Sequence, residues 1–242
     1  EWVLMEYACA LSGLVLVTAN PAFQTRELAY VLEQSGAVAL FLVEEFRGNP
    51  MSQIGAEVAE SIASVREVTD METAALYAEG VRSPALSRKT PGNAAMIQYT
   101  SGTTGFPKGA VLSHRGLVNN ARFYASRCRV TEATTWVNIM PMFHTSGCGM
   151  VTLGCLQAGC RMVLVSLFDP DEVLDQLEAN GADIILGVPT MVVALLEAQE
   201  ARPRDLSALK LVSCGGSMVA PELVRRVQNL MGAEFSTLYG QT

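Results

Sequence analysis

The chain has 242 residues, a formal net charge of -7 and an apolar content of 50%, with 17% charged residues, against about 25% in an ordinary soluble domain. That length suffices for one large α/β domain or parts of two, with a core of real size. The acidic balance and the lack of a Lys/Arg stripe exclude a partner held by its phosphate backbone, so no nucleic acid is expected.

Trp2 to Ala10 reads as an apolar helix and Gly13 to Val17 as a short buried strand. The longest apolar stretch, Tyr7 to Ala19, is broken by Ser12 and Gly13. It falls short of the roughly 18 to 20 residues of a membrane span, so none is expected. After a turn at Asn20 and Pro21, Thr25 is placed as the cap of a helix whose Leu28, Val31 and Leu32 share one face. Gly36 stands where a left-handed terminal residue belongs. Ala37 to Val43 is a continuous apolar strand, Met51 to Ser64 is weakly helical, and Val65 to Thr69 reads as a strand. The polar run Gly80 to Asn93, with Pro84 and Pro91, is the internal boundary. Residues 1–90 thus read as part of a first α/β subdomain and 91–242 as a second, truncated at its C-terminal end.

From Ala94 the alternation sharpens: a strand to Tyr99, a Gly/Thr loop, a strand Ala110 to Leu112, and a helix for which Ser113 is the candidate cap. Strand, loop and helix recur through Val137 to Met140, Gly147 to Ala158 and Arg161 to Val165. The clearest helix, Asp169 to Asn180, has Asp169 as cap, Pro170 in the first position, Glu172 as return partner of a capping box, and Gly181 beyond its end. A strand Ile184 to Val188, a helix from Pro189 or Thr190, a strand Leu209 to Cys214, a helix after Pro221 and a strand near Phe235 to Tyr239 follow. Apolar strands separated by helices predict an α/β fold, mostly parallel sheets covered by helices on both faces.

Six cysteines at 9, 128, 148, 155, 160 and 214 form no CxxC pair, so reduced thiols in a cytoplasmic protein are expected, with neither a zinc knuckle nor a disulfide framework. With only His114 and His144 present, no metal site is expected. The chain opens at Glu1 without an initiator Met or signal segment and stops after Gln241 and Thr242, so both ends read as cuts.

The segment AAMIQYTSGTTGFPKG, Ala94 to Gly109, carries the chemistry. Thr100, Ser101, Thr103 and Thr104 supply hydroxyls, and Gly102, Gly105 and Gly109 permit the backbone turns that aim successive N–H groups into one concavity. Lys108 adds a cation. Such a nest suits a polyphosphate. It is no Walker A loop, because Lys108 follows Pro107 and precedes a strand-like run where that motif opens a helix. The competing reading is a Gly/Ser/Thr surface linker, which the entering apolar strand and the stiffening Pro107 disfavour.

Tyr99 to Gly109 resembles the YTSGTTGxPKG signature of the adenylate-forming superfamily, which includes acyl-CoA synthetases, aryl-CoA ligases, peptide-synthetase adenylation domains and beetle luciferases. The resemblance implies that this loop binds the β- and γ-phosphates of ATP and that Lys108 and the hydroxyls stabilise departing pyrophosphate. Pro141 to Gly147, PMFHTSG, is similar to the family's PxFHxxG element, although a lone His beside Phe143 is by itself more often a packed residue. That similarity implies that His144, with Ser146 and Gly147, borders the acyl pocket and the nucleotide. Gly215, Gly216 and Ser217 end a strand where open parallel sheets place ligands, and equally fit an ordinary strand-to-helix turn; in the resembled family this turn borders the adenine. TLYGQT is similar to the family's YGxTE element, so Tyr239 would pack on adenine and Thr242, beside Gly240 and Gln241, would contact the α-phosphate. The element's Glu, which would hold Mg²⁺, the Thr-Gly-Asp ribose element and the mobile C-terminal domain with its lysine would lie beyond residue 242. Catalytic roles thus fall on Lys108, His144 and Thr242, with no metal ligand among these residues.

The stretches NPAFQTREL, GVPTMVVALL and LKLVSCGGSMVAPEL are also similar in order to acyl-CoA synthetases. The resemblance implies ATP, Mg²⁺ and coenzyme A as cofactors or co-substrates, and a carboxylic acid, preferably a fatty acid, as substrate. Aryl or amino-acid adenylation and an inactive nucleotide-binding fragment are the alternatives. Leu167 stands where many CoA ligases carry a basic residue before the Phe-acid pair, here Phe168 and Asp169, so no CoA contact is assigned there.

Overall fold

In the computed structural model, which describes residues 1–72, 90–100 and 107–242, the first 115 residues and the rest form two units, Glu1–Arg115 and Gly116–Thr242. The division falls later in the chain than the 90/91 line drawn from composition. The pairing of β4 (Ala94–Thr100) with both β1 (Leu16–Thr18) and β5 (Lys108–Ser113) holds this segment to the first unit.

Within that first unit β1 runs parallel to β4, and β4 pairs with β5 in the antiparallel sense, while β2 (Ala39–Leu42) and β3 (Glu67–Asp70) form a separate parallel pair. The helices Thr25–Ser35 and Met51–Ser61 bury Leu28, Leu32, Ile54 and Val58 against Leu40 and Leu42 of β2. The expected cap at Thr25 is one residue off. Gln24 holds the extended cap conformation, φ -92° and ψ 172°, and its N–H donates to Glu27 Oε2 at 2.9 Å. The carboxylate three residues into the helix thus selects the register, and Thr25 Oγ1 donates to Glu57 on the neighbouring helix at 3.4 Å. Gly36 closes the helix in the left-handed region at φ 65°.

The second unit is built on five parallel strands in the order β10-β9-β8-β6-β7, where β6 is Thr135–Asn138, β7 Arg161–Leu164, β8 Ile184–Gly187, β9 Leu211–Gly215 and β10 Glu234–Leu238. Successive residues of the central strands point to opposite faces, and both faces are covered, which explains their unbroken apolar runs. Val137, Ile185 and Val212 pack with Leu174, Leu196 and Val227 from the helices Pro170–Ala179, Pro189–Ala201 and Pro221–Met231. Trp136, Ile184 and Leu211 pack instead with Ala125 and Cys128 at the end of the helix His114–Arg127, and with Val151 and Cys155. Each large side chain buried this way contributes roughly 1.5 to 3 kcal/mol. Every residue of β6, β8 and β9 is buried, whereas the outer strands β7 and β10 keep exposed positions.

The cap at Asp169 forms as expected, its Oδ1 accepting from Glu172 N at 3.0 Å with Pro170 in the first turn. Glu172 does not complete a box; its Oε1 accepts from Gln176 Nε2 at 2.9 Å, one turn along the same face. Arg204 ties this helix down. Its side chain is 2% exposed, its Nε donates to Asp175 at 2.8 Å, and it also bonds Asp171 and the carbonyls of Ala198 and Arg202. The cation is buried but fully partnered, the condition under which such burial is tolerated.

Candidate active site

The chain order of the second sheet locates a ligand site before any side chain is considered. The connection from β6 places β7 on one side of it, and the return from β7 places β8 on the other. Open α/β sheets bind ligands beyond the carboxyl ends of the strands at such a switch point. The segment leaving β6 there is Ile139 to Gly147, which contains PMFHTSG.

That segment is folded around a buried asparagine. Asn138, fully buried at the end of β6, accepts from Met140 N through Oδ1 at 3.1 Å and donates through Nδ2 to Gly147 O at 3.3 Å. Thr152 Oγ1, also buried, donates to the same carbonyl at 2.8 Å. Gly147 has no alternative residue: a Cβ there would lie 2.5 Å from Pro141 O and 2.7 Å from Met140 O. The chain then turns through the π-helix Ser146–Thr152 into the short helix Leu153–Ala158, and a π-helical turn of this kind is frequent at functional sites.

His144 projects from this frame with an exposed edge. Its Nδ1 accepts from Ser146 N at 3.2 Å and lies 2.9 Å from Ser146 Oγ, so the neutral ring carries its proton on Nε2. Partial burial of the ring lowers its pKa below the ordinary histidine value, so it is uncharged at neutral pH. The arrangement offers a neutral Nε2–H donor on the opposite edge of the ring, with Ser146 buried behind it. His144, Ser146 and Gly147 thus lie together in one segment hydrogen-bonded to Asn138 and Thr152.

At the neighbouring strand ends, Gly215 and Leu238 are register partners on β9 and β10. A Cβ on Gly215 would lie 2.6 Å from Leu238 O, so the absence of its side chain is already used by the adjacent strand. Gly216 and Ser217 are exposed, and Gly216 adopts φ 87°, which favours glycine. Tyr239 is 88% exposed at the same edge, and Gln241 Nε2 donates to its hydroxyl at 3.0 Å. An aromatic ring left in solvent beside a bare glycine turn has the shape and chemistry to receive a flat base. Gly240 and Thr242 follow outside regular structure. Burial pushes the Cys214 thiol up to about 11, so it stays protonated near neutral pH.

In the first unit the candidate phosphate loop joins β4 to β5. Ser101, Gly102, Thr103, Thr104 and Gly105 lie outside the described residues. Its two ends are described: Thr100 and Lys108 are register partners, with Thr100 Oγ1 3.5 Å from Lys108 O. Gly109 sits opposite Tyr99, and a Cβ on it would come within 3.2 Å of the Tyr99 ring. Tyr99 donates to Val31 O at 3.3 Å and Tyr30 donates to Pro107 O at 3.0 Å, so the hairpin is held from the helix Thr25–Ser35. Burial raises the Tyr99 phenol above its ordinary value, with Tyr30 adding to the rise. A cleft of about 580 Å³ lies here, lined by Tyr30, Gln34, Ser35, Tyr99, Pro107 and Lys108. Lys108 is exposed.

The sequence reading missed Asn138 and Thr152. The available signal was an amide inside the apolar run WVNIM, a polar group that burial makes costly unless it is hydrogen-bonded.

Comparison with known proteins gives a match to the AMP-binding enzyme family model over residues 1–242. The chain belongs to the AMP-binding enzyme family. YngI of Bacillus subtilis (strain 168), which bears a provisional acyl-CoA synthetase name, is 32% identical over the whole chain and 49% of its own length. The mitochondrial medium-chain acyl-CoA ligase ACSF2 of Homo sapiens is 30% identical over the whole chain and 45% of its own length. This AMP-binding chain thus spans about half the length of the curated relatives it matches. A long-chain-fatty-acid-CoA ligase structure, FadD1 from Archaeoglobus fulgidus, superposes with a TM-score of 0.88 at 26% identity, covering 99% of this chain and 50% of that one. The fold is that of the N-terminal domain of adenylate-forming enzymes.

Proposed function

We propose that the chain supplies the ATP-binding, acid-activating part of an AMP-forming acyl-CoA synthetase whose substrate is a fatty acid. The observation that carries this reading is the neutral His144 with Ser146, held by Asn138 and Gly147 at the switch point of a parallel sheet in an AMP-binding chain. The names of the human and archaeal relatives, a medium-chain acyl-CoA ligase and a long-chain-fatty-acid-CoA ligase, support the fatty acid.

In the proposed reaction a carboxylate oxygen attacks the α-phosphorus of ATP. A P–O bond forms, the bond to the bridging oxygen breaks, and pyrophosphate leaves with its electron pair. Thr100, Ser101, Gly102, Thr103, Thr104, Gly105 and Lys108 would meet the phosphates and the charge developing on the leaving group. Gly215, Gly216, Ser217 and Tyr239 would border the adenine, and Gly240, Gln241 and Thr242 the α-phosphate. His144, through its Nε2–H donor, would orient the entering carboxylate. A coenzyme A thiol then attacks the acyl carbonyl and AMP departs. When bound, Mg²⁺ supplies charge neutralisation at the phosphates. Among the described residues no group of three or more His, Cys, Asp or Glu gathers to hold it, and no step here is assigned to it. No disulfide links any of the six cysteines, which fits a reducing compartment such as the cytoplasm, and no described helix is long and apolar enough to cross a membrane.

The test is a carboxylic-acid panel on the full-length protein, scored by AMP release and ATP/pyrophosphate exchange. Fatty acids are expected to give both. Release of ADP overturns adenylation, and turnover confined to aromatic or amino acids overturns the substrate class. The half-length coverage favours a second reading for the 242 residues alone, a nucleotide-binding piece without turnover. Isothermal titration with ATP showing binding, alongside absent exchange, supports it.

A further inference from the structure

The helix Leu153–Ala158 ends in a doubly bonded cap. Gly159 is left-handed at φ 67°, its N–H donates to Leu156 O at 3.3 Å, and Cys160 N–H donates to Cys155 O at 3.1 Å. This is the Schellman pattern, in which the first side chain past the left-handed residue closes back on the side chain at the far end of the longer bond. In this chain both of those side chains are cysteine. The two thiols are free, and each shifts the proton affinity of the other. Cys155 is 4% exposed and packs beside Trp136 and Val151, while Cys160 is only half-buried.

We infer that Cys155 and Cys160 are a dithiol modification site that closes to an intramolecular disulfide by exchange with a small-molecule disulfide. Cys160, the accessible partner, loses its proton and its sulfur attacks one sulfur of oxidised glutathione. One S–S bond forms, one breaks, and a glutathione thiolate leaves. Cys155 then loses its proton and attacks the Cys160 sulfur, releasing the second glutathione. Two protein thiols become one disulfide and the reagent's disulfide becomes two thiols, so electrons and protons balance. Ring closure adds no atoms to the packed face around Cys155, whereas a retained glutathione there would need space that a close-packed interior lacks. Burial raises both thiols, and the carboxylate of Asp183 adds to the rise at Cys160, so the thiolate fraction and the exchange rate grow on the alkaline side of neutrality. The cap closes the helical run that begins at Ser146, so the disulfide would pin the far end of that segment.

The experiment treats the 242-residue chain, without nucleotide, with oxidised glutathione at mildly alkaline pH and reads the intact mass and chymotryptic peptides. The expected product has lost two hydrogens, retains no glutathione, and links Cys155 to Cys160. Cys9→Ser should behave in the same way, because Cys9 lies on another element. Cys155→Ser should instead accumulate one glutathione on Cys160. Persistent glutathione on Cys160 of the unsubstituted chain, or no modification of either thiol, overturns the inference. The unsubstituted chain decides this even if a variant fails to fold.

Discussion

Glu6 is 6% exposed on the helix Trp2–Ser12, and neither carboxylate oxygen has a hydrogen-bond partner among the described residues. Burial pushes its pKa from 4.5 up to about 8, so the folded chain keeps the group protonated where the unfolded chain would ionise it. The folded state then binds more protons than the unfolded state between these values. Stability should therefore fall as pH rises through that window, by up to roughly 1.4 kcal/mol per unit, and level off above it. Glu6→Gln should flatten the profile and raise stability at pH 8, read as urea midpoints across pH 5 to 8; an equal slope in the variant would remove Glu6 as the cause. Lys108 presents a different case, an exposed cation at the end of a hairpin. Lys108→Ala in the full-length protein is expected to lower exchange roughly 100- to 1000-fold, the usual cost of one charge-stabilising donor. The melting temperature should be unchanged, and unaltered exchange would withdraw Lys108 from the phosphate role.

At the scale of an element, the PMFHTSG segment depends on two residues that do no chemistry. Gly147→Ala puts a methyl group against the backbone carbonyls of Met140 and Pro141, which cannot rotate away. A loss of about 1 to 3 kcal/mol is expected, together with reduced exchange, because the strain falls on the chain carrying His144. Asn138→Ala leaves Gly147 O bonded to Thr152 but strips Met140 N of its acceptor. An unsatisfied buried N–H costs roughly 1 to 3 kcal/mol. Thermal unfolding of the two variants measures both effects, and melting temperatures matching the parent would show the frame to be redundant.

For the whole molecule, the second unit has a five-stranded sheet with both faces packed, whereas the described strands of the first divide between a three-stranded and a two-stranded sheet. A polypeptide of residues 113–242, which keeps the helix His114–Arg127 intact, is expected to fold alone and unfold cooperatively. Circular dichroism during urea titration tests this; a broad, non-cooperative loss of signal would show that its core depends on the first unit. The described residues divide into compact units after Arg115, later than the Pro and polar residues that set the expected 90/91 line, because β4 pairs with β1 and β5 pairs with β4.

The apolar strands and intervening helices of the second unit were legible because burial on both faces forces continuous apolar runs, a local signal. So were the Asp169 cap, the left-handed Gly36 and the motif segments, each written in a few consecutive residues. The Gly, hydroxyl and Lys content of residues 100–109 suggested a phosphate loop, and Ser101 to Gly105 lie outside the described residues. Tertiary structure decided what depends on partners distant in sequence: the strand order that makes the end of β6 a switch point, and the antiparallel pairing of β4 with β5. It also assigned Asn138 and Thr152 to the carbonyl of Gly147, and filled the space beside Gly215 with Leu238. A hydrogen bond or close contact between residues far apart in the chain leaves no periodic trace in sequence, which is why these features emerged only once the chain was folded.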